Sequence, residues 1–351
     1  MNYSCLLNFT DTQRSIGISF LAFAFLLGFP GNLFVVWTVL FQLRKRSVTS
    51  ILVLNLAAAD AVVLLTAPFF IHFLAVCTWE FGDAWCKTLH YMCCVNMYAS
   101  VYLIAFMSLD RLMGIAKPFL SQKVRTKSKV SKVIFPLWVA AFLFSLPMVF
   151  YRKVFDVNGA FICKPSHSHY KEEIFQYLFE TLLCFIIPFS IMVGSYIHIS
   201  RKLKNGRFRI RSRKRVNRLI LLIVISFAIC WMPYNMINIV QVTGHLVNKP
   251  LSDTLLTASK NLRPVVTAFA FISSSINPIL YTFAGSAFIR TSGMKFIARL
   301  LEGNTELTSV RKPTKPNEDK NKKATNGGSV VLHQMQNGET RNVTIESPEK
   351  K

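Results

Sequence analysis

Residues 51–71 read ILVLNLAAADAVVLLTAPFFI, and this stretch decides the fold. An α-helix of this length covers roughly 30 Å, which matches the hydrocarbon thickness of a bilayer. Asp60 nevertheless lies near its middle, where a carboxylate costs at least about 2.5–3.5 kcal/mol. An acid kept at that depth indicates a functional role, and its partners have to be sought elsewhere in the chain.

The whole chain has the composition of a polytopic membrane protein. Apolar residues make up 52% of its 351 residues, and the mean hydropathy is +0.37. The formal charge is +24, but the basic clusters are short loops between apolar segments, which argues against a nucleic-acid partner. Seven apolar segments predict spans 1 to 7 at 16–41, 49–75, 84–116, 130–150, 173–200, 216–242 and 261–284. We therefore expect an all-α membrane protein, a seven-transmembrane helix bundle, and the lack of an internal repeat counts against a transporter.

Loop charges orient this bundle. The loop RKLKNGRFRIRSRKR (201–215) contains no acid, and basic residues also follow spans 1 and 3. Lys/Arg-rich short loops stay in the cytoplasm, so the N-terminus is expected outside a plasma-membrane protein. Asn2 and Asn8 begin outer glycosylation sequons. The expected organisation is an extracellular segment (1–15), the bundle (16–284), an interfacial amphipathic helix (285–303) and a disordered cytoplasmic tail (304–351).

Two pairs of cysteines fall on the outer side. Cys86 begins span 3, and Cys163 lies in the loop between spans 4 and 5. The oxidising outer side permits a bridge between them, which would tether that loop over the mouth of the bundle. Cys5 and Cys77 are also on this side and could pair.

A stripe of polar and apolar residues follows one face of span 3 from its outer to its inner end. They recur every three to four residues, which places them on one helix face. The members are His90, Cys93, Met97, Ser100, Ile104, Met107 and Arg111. A core stripe with a few satisfied polar groups is the plain alternative, but packing alone explains a buried arginine poorly.

Several motifs on these spans resemble those of rhodopsin-like G-protein-coupled receptors. In chain order they are GN (31–32), LNLAAAD (54–60), SLDRLMGIAKP (108–118), Trp138, Pro188 with Tyr196, CWMP (230–233) and NPILY (277–281). Stretches that include loops, such as TWEFG, PFLSQKVRTK and FISSSINPILY, are similar to the leukotriene B4 receptors, type 1 more than type 2. The resemblance covers roughly residues 16–301 and implies a receptor rather than an enzyme.

The outer half of the bundle suits an anionic amphiphile. His90, Arg152 and Arg263 are cationic groups that favour a carboxylate, and the surrounding rings favour a long apolar body. Those rings are Phe69, Phe70, Phe73, Tyr98, Phe175, Phe179 and Phe269. Tyr98 and Glu180 can bond ligand hydroxyls. The resemblance implies that His90, Tyr98, Arg152, Glu180 and Arg263 bind leukotriene B4 or a related hydroxy fatty acid. A chemotactic peptide is the alternative ligand.

The resemblance also implies the signalling route, in leukocyte chemotaxis and inflammation. The switch and coupling residues would be Asp110, Arg111, Tyr196, Trp231, Pro233, Asn277, Pro278 and Tyr281. The expected partners are a heterotrimeric G protein of the Gi/o class, arrestin and receptor kinases at the tail, and membrane lipids. Many relatives latch the arginine with an acid on span 6, but Arg213 stands there and no acid lies between Ser200 and Asp253. We therefore expect measurable basal signalling.

Asp60 matches the acidic position that holds sodium in rhodopsin-like receptors. The expected ligand set is Asp60, Ser100, Ser273, Ser274 and Asn277, with Asn32 and Trp231 nearby. A hard cation prefers such oxygen ligands. A protonated Asp60 that bonds Asn32 and Asn277 is the alternative. Apart from this allosteric ion, no cofactor is expected.

Overall fold

The computed structural model describes residues 10–43, 46–205 and 211–283, and the side chains of 10–43, 46–202 and 221–280. The predicted sequons at Asn2 and Asn8, Cys5, the interfacial helix (285–303) and the tail (304–351) lie outside these residues.

Seven helical spans follow the predicted order. Among the described residues, six helices are long and apolar enough to cross a membrane: Asp11–Gln42, Val48–Val76, Gly82–Ala116, Lys127–Phe150, Tyr170–Lys202 and Leu221–Leu246. Span 1 consists of the helical stretches Asp11–Phe23, Ala24–Gly28, Phe29–Trp37 and Thr38–Gln42, span 2 of Val48–Leu64 and Ala67–Val76, and span 3 of Gly82–Ala116. Span 4 consists of Lys127–Ser145 and Pro147–Phe150, and span 5 of Tyr170–Glu180, Thr181–Ile186 and Ile187–Asn205. Span 6 is Arg211–Leu246, and span 7 consists of Leu251–Ala270 and Ile272–Phe283. A short helix, Pro118–Val124, joins spans 3 and 4. The predicted seven-helix bundle is confirmed.

All seven described spans start earlier than the sequence limits, and the causes are clear for spans 1 and 7. Span 1 begins at Asp11, inside the segment expected to precede it, because Thr10 and Gln13 form a capping box. Span 7 begins at Leu251, ten residues before the expected position, 261. Its first turns carry Asp253 and Lys260, so hydropathy alone does not detect them.

The local helix structure around the proline differs between spans 5 and 6. In span 5 the π-helical stretch Thr181–Ile186 precedes Pro188, which cannot donate a backbone hydrogen bond. In span 6, Pro233 lies within the continuous helix Arg211–Leu246. Both are positions where a helix is locally free to bend.

Small and amide residues set the distances between spans. A Cβ on Gly28 would lie 2.7 Å from Cβ of Ser275, so glycine permits the close approach of spans 1 and 7. Asn32 donates to the Ser274 carbonyl at 2.9 Å across the same contact. Trp138 donates to Asn55 at 3.0 Å and joins spans 4 and 2.

A β-hairpin that was not predicted from the sequence fills the loop between spans 4 and 5. Strand β1, Arg152–Val157, pairs antiparallel with β2, Ala160–Pro165. Asn158 and Gly159 both have positive φ, as a tight Asn-Gly hairpin turn requires. Cys163 on β2 is bonded to Cys86 at the start of span 3, which confirms that predicted disulfide. The bridge holds the hairpin over the outer end of the bundle.

Candidate functional site

The hairpin roofs a cavity of about 770 Å³ in the outer half of the bundle. All seven spans contribute to its walls, and β1 and β2 close part of its mouth. This size is within the range of small-molecule sites. Three of the five predicted ligand residues, His90, Arg152 and Arg263, line it.

Arg263 is fixed in place by span 6. Its guanidinium donates to Oδ1 of Asn238 at 2.8 Å and to Gln241, and lies 4.2 Å above the ring of Tyr177. These acceptors are neutral, so the positive charge is oriented but not neutralised. A guanidinium group held in this orientation is preorganised to bind a carboxylate.

Arg152 is the first residue of β1 and is partly buried. Among the described residues its guanidinium has no hydrogen-bond or ion-pair partner. Burial, together with the positive charge of Arg263, lowers the pKa of Arg152 from its ordinary value. The group remains a cation at neutral pH, and a bound anion would relieve both effects.

Glu180 and Tyr98 lie behind the cavity wall. Glu180 is 3% exposed and accepts hydrogen bonds from Tyr234 at 2.9 Å and from Gln176 at 2.8 Å. Tyr234 does line the cavity, so Glu180 can act through its hydroxyl. Tyr98 is 0% exposed and packs against Phe144, and its hydroxyl has no partner among the described residues. The structure thus brings neither predicted side chain to the cavity surface.

The apolar lining differs from the predicted ring set. Phe70 and Phe73 line the cavity, whereas Phe69 stacks on Trp85. Phe175 is exposed on span 5. Phe179 packs on Phe144, and Phe269 on Phe20, away from the lining.

Sequence reasoning missed several residues that line the cavity. The main ones are Tyr177, Tyr234, Gln241, Lys260 and Asn261. Tyr234 directly follows the CWMP motif and so carried a signal, whereas Met97, which also lines the cavity, was already named on span 3. Gln241 had none: its role depends on Arg263, which lies on another helix.

Trp231 connects the cavity floor to the buried polar centre. Its indole donates to Oγ of Ser273 at 3.1 Å. Asp60, 1% exposed, accepts from Asn277 at 2.8 Å, and Ser100 lies 3.5 Å from its other oxygen.

Two further side chains complete the surroundings of Asp60. Ser274 and Asn96 are within its hydrogen-bonding neighbourhood, and Asn96 donates to Ser274 at 3.3 Å. Ser273 instead bonds Trp231 and the Ala270 carbonyl. Asn32 bonds backbone carbonyls of Gly28 and Ser274, so the alternative pairing of Asp60 with Asn32 is not formed. Asn96, one turn before Ser100, is the member that was not predicted from the sequence.

The inner end of span 3 has a different partner from the latch found in many relatives. Nε of Arg125, just after the short helix, lies 2.9 Å from Oδ1 of Asp110, whereas Nη2 of Arg111 is 3.6 Å from Oδ2. Arg111 and Arg125 both donate to Thr49 on span 2. Asp110 is therefore shared between two arginines.

The remaining predicted coupling residues are only partly described. Tyr196 and Arg111 line a crevice of about 190 Å³ between spans 3, 5 and 6. The backbone of span 7 includes Pro278 and Tyr281, but the side chains of Tyr281 and Arg213 are not among those described.

Comparison with known proteins bears on the whole bundle. The family described as 7 transmembrane receptor (rhodopsin family) matches residues 31–281. Leukotriene B4 receptor 1 of Homo sapiens is 45% identical over 300 residues, covering 85% of this chain and 85% of that protein. The Mus musculus receptor of the same name is 46% identical over 300 residues, 84% of each chain. Leukotriene B4 receptor 2 of Homo sapiens is 37% identical over 301 residues, 84% of this chain and 83% of that protein. The predicted greater similarity to the type 1 receptors than to type 2 is confirmed.

Proposed function

Because the chain belongs to the rhodopsin family of seven-transmembrane receptors, we propose that its outer cavity binds leukotriene B4 or a closely related hydroxy fatty acid. The bound ligand would act through a heterotrimeric G protein in leukocyte chemotaxis and inflammation. Family membership makes the chain a multi-pass membrane receptor and not an enzyme. The orientation with the N-terminus outside the plasma membrane belongs to the same proposal.

One observation carries the choice of ligand: Arg152 and Arg263 line the same largely apolar cavity. A fatty acid supplies one carboxylate for these two cations and a chain for the apolar wall. Each charge-assisted hydrogen bond contributes about 1.5–3 kcal/mol. Ligand hydroxyls can reach His90 and the Tyr234 hydroxyl, which Glu180 orients. The relatives named for leukotriene B4 favour this ligand over a chemotactic peptide.

Below the cavity we infer a site for sodium. Asp60, Ser100 and Ser274 present oxygens toward one another, with Asn96 and Asn277 beside them. A buried carboxylate among hydroxyl and amide oxygens fits a hard monovalent cation. When bound, the ion would supply the positive charge that offsets the burial of Asp60. Asn96 and Ser274 line the ligand cavity as well, which gives the cavity a direct connection to this site.

Signal transfer ends at the inner face. An agonist must bind the active arrangement of the spans more tightly than the inactive one, and Pro233 gives span 6 a place to bend. Movement of span 6 would widen the crevice beside Arg111 for a G-protein helix. We propose the Gi/o class, as the resemblance implies, and arrestin and receptor kinases as partners of the tail.

Displacement of radiolabelled leukotriene B4 on membranes tests the proposed ligand. We expect saturable binding to the wild type and weaker binding to Arg152→Ala and Arg263→Ala. No saturable binding to a surface-expressed wild type would direct the search to peptides. Unchanged affinity in both variants would remove the anion-binding assignment and leave the receptor class intact.

A further inference from the structure

An acid lies in the cavity where an anionic ligand is proposed to bind. Among the described residues, Glu173 is the only Asp or Glu that lines this cavity, beside the cations Arg152, Lys164, Lys260 and Arg263. Like charges repel most where bulk water is excluded, so this acid opposes the ligand that the arginines attract. The contacts of Glu173 show how the fold keeps a carboxylate at this place.

Glu173 lies between the outer surface and Arg263. Its Oε2 is 2.9 Å from Nε2 of His245, and its Oε1 accepts a hydrogen bond from the Gln241 amide. Oε1 of Gln241 accepts in turn from Arg263. One side-chain amide therefore separates the negative charge of Glu173 from the guanidinium that is proposed to hold the ligand carboxylate. A carboxylate bound at Arg263 is also exposed to the field of Glu173.

His245 of span 6 contacts the outer side of Glu173. A carboxylate only accepts hydrogen bonds, so Nε2 of His245 carries the hydrogen between them whether the ring is neutral or protonated. The ring also stacks on Tyr170, one turn before Glu173 on span 5, with 6.1 Å between ring centroids. Histidine gains a positive charge in mildly acidic solution. Protonation therefore converts this hydrogen bond into an ion pair without a change of partner.

We propose that Glu173 is a specificity-determining residue of the cavity, whose charge limits the affinity for carboxylate ligands, and that protonation of His245 offsets this charge. The proposal rests on the fatty-acid ligand proposed above. It follows that the receptor binds an ionised fatty acid more tightly in mildly acidic surroundings than at pH 7.5. An uncharged ligand of the same shape responds to neither group.

The other charged groups around His245 keep their charge in this pH range. Span 7 packs on the same end of span 6, where a Cβ on Gly244 would lie 2.9 Å from Leu256. Lys249 and Asp253, at the start of span 7, lie 3.8 Å apart and offset each other. Carboxylates, lysines and arginines ordinarily titrate well outside pH 6.0–7.5. The further charged residues on the elements around the mouth are Arg152, Lys164, Lys171, Glu172, Lys260 and Arg263. The histidines His90 and His169 remain in every variant below, so their contribution is the same throughout.

Competition binding of leukotriene B4 and its methyl ester to membranes tests both parts of the proposal. Glu173→Gln removes the charge, while the glutamine oxygen can still accept from Gln241. Glu172→Gln is the matched control, because this neighbouring acid does not line the cavity and instead accepts from the Ser168 amide at 3.0 Å. His245→Gln removes the titrating group and keeps a donor for Glu173. Each protein is measured at pH 7.5 and at pH 6.0, where a fatty acid is still ionised.

The expected changes follow from Coulomb repulsion. Two like charges roughly 8 Å apart repel by an energy that corresponds to about 2- to 30-fold in affinity, depending on the local dielectric constant. At pH 7.5, Glu173→Gln should bind the acid about 3- to 10-fold more tightly, and Glu172→Gln should change by less than about two-fold. From pH 7.5 to 6.0 the affinity of the wild type for the acid should rise about 2- to 5-fold, and that of His245→Gln should stay constant. The methyl ester should change by less than about two-fold in every case, and a gain confined to the acid cannot result from misfolding.

Four results would contradict these expectations, and they can be told apart. A loss of acid affinity in Glu173→Gln would overturn the proposal, since Glu173 would then serve only to hold Gln241 and Arg263. An equal gain for acid and ester, or an equal gain in Glu172→Gln, would show that the charge of Glu173 has no specific effect on the ligand carboxylate. A pH response that persists in His245→Gln would overturn the role of His245. Absence of saturable leukotriene B4 binding to the wild type at both pH values would instead refute the proposed ligand.

Discussion

Replacing Arg152 by glutamine should weaken only the part of leukotriene B4 binding that comes from the carboxylate of the ligand. Arg152 lies on the cavity wall, and its guanidinium has no hydrogen-bond or ion-pair partner among the described residues. Glutamine keeps a polar side chain of similar reach and removes the positive charge. The hairpin register that pairs residue 152 with Pro165 is made by the backbone and should survive.

The expected loss follows from the geometry of two cations sharing one anion. One charge-assisted hydrogen bond contributes about 1.5–3 kcal/mol, which corresponds to roughly 10- to 150-fold in Kd. Arg263 remains to hold the carboxylate in the variant, so the lower part of this range is expected. The methyl ester of leukotriene B4 has no charge to lose and should change by less than about three-fold.

Competition binding on membranes with the acid and its methyl ester measures both effects. Lys153→Gln is the matched control, because this exposed lysine is the next residue of β1 and lies off the cavity wall. An equal loss for acid and ester in Arg152→Gln would contradict the reasoning, since the side chain would then serve the shape of the cavity. If Lys153→Gln lost as much affinity for the acid as Arg152→Gln, long-range attraction alone would explain the role of Arg152.

Three further predictions concern the polar centre, the inner face and the hairpin. Sodium should lower agonist affinity in the wild type, and Asp60→Asn should abolish this effect; a sodium-insensitive wild type would refute the ion site. The wild type should show basal G-protein turnover, and Arg125→Ala should lower the ratio of basal to agonist-stimulated turnover, because Asp110 is then free to pair with Arg111. Lys123→Ala is the control, and a ratio that stays the same or rises would contradict the shared pairing. Cys163→Ser should cost about 2–5 kcal/mol of stability and reduce leukotriene B4 binding, because the hairpin that carries Arg152 loses its tether. Thermal unfolding and radioligand binding measure the two effects. Unchanged stability and unchanged binding would show that the disulfide does not position the hairpin.

The bundle could be predicted from the sequence because membrane spans obey simple rules. A long apolar segment has to form a helix in lipid, since its backbone groups have no other partners there. The prediction was weakest in span 7, whose outer turns carry polar residues and pack on span 6 along one side. There the helix depends on tertiary contacts, and hydropathy placed its start ten residues late, at 261 rather than Leu251.

The candidate site could be predicted only as far as helix faces determine contacts. The periodicity of span 3 correctly placed His90 at the cavity, but it gives no information on which neighbour covers a given residue. Tyr98 is covered by Phe144 of span 4, and Glu180 by Tyr234 of span 6. Such contacts depend on the packing of different helices.

At the inner face, too, a contact made by a loop residue could not be predicted from the sequence. The sequence showed that span 6 has no acid for Arg111, but it did not show what occupies Asp110 instead. Arg125 follows Asp110 by 15 residues, and only the helix Pro118–Val124 brings it back to 2.9 Å. The Asn-Gly turn at 158–159, in contrast, is a local signal that would have found the hairpin from the sequence.

The structure of the chain bound to leukotriene B4 is the most direct test of the central claim. We predict that the carboxylate lies within hydrogen-bonding distance, about 2.7–2.9 Å, of both Arg152 and Arg263, with the chain along the apolar wall above Trp231. A carboxylate bound elsewhere, with the two guanidinium groups facing solvent, would contradict it.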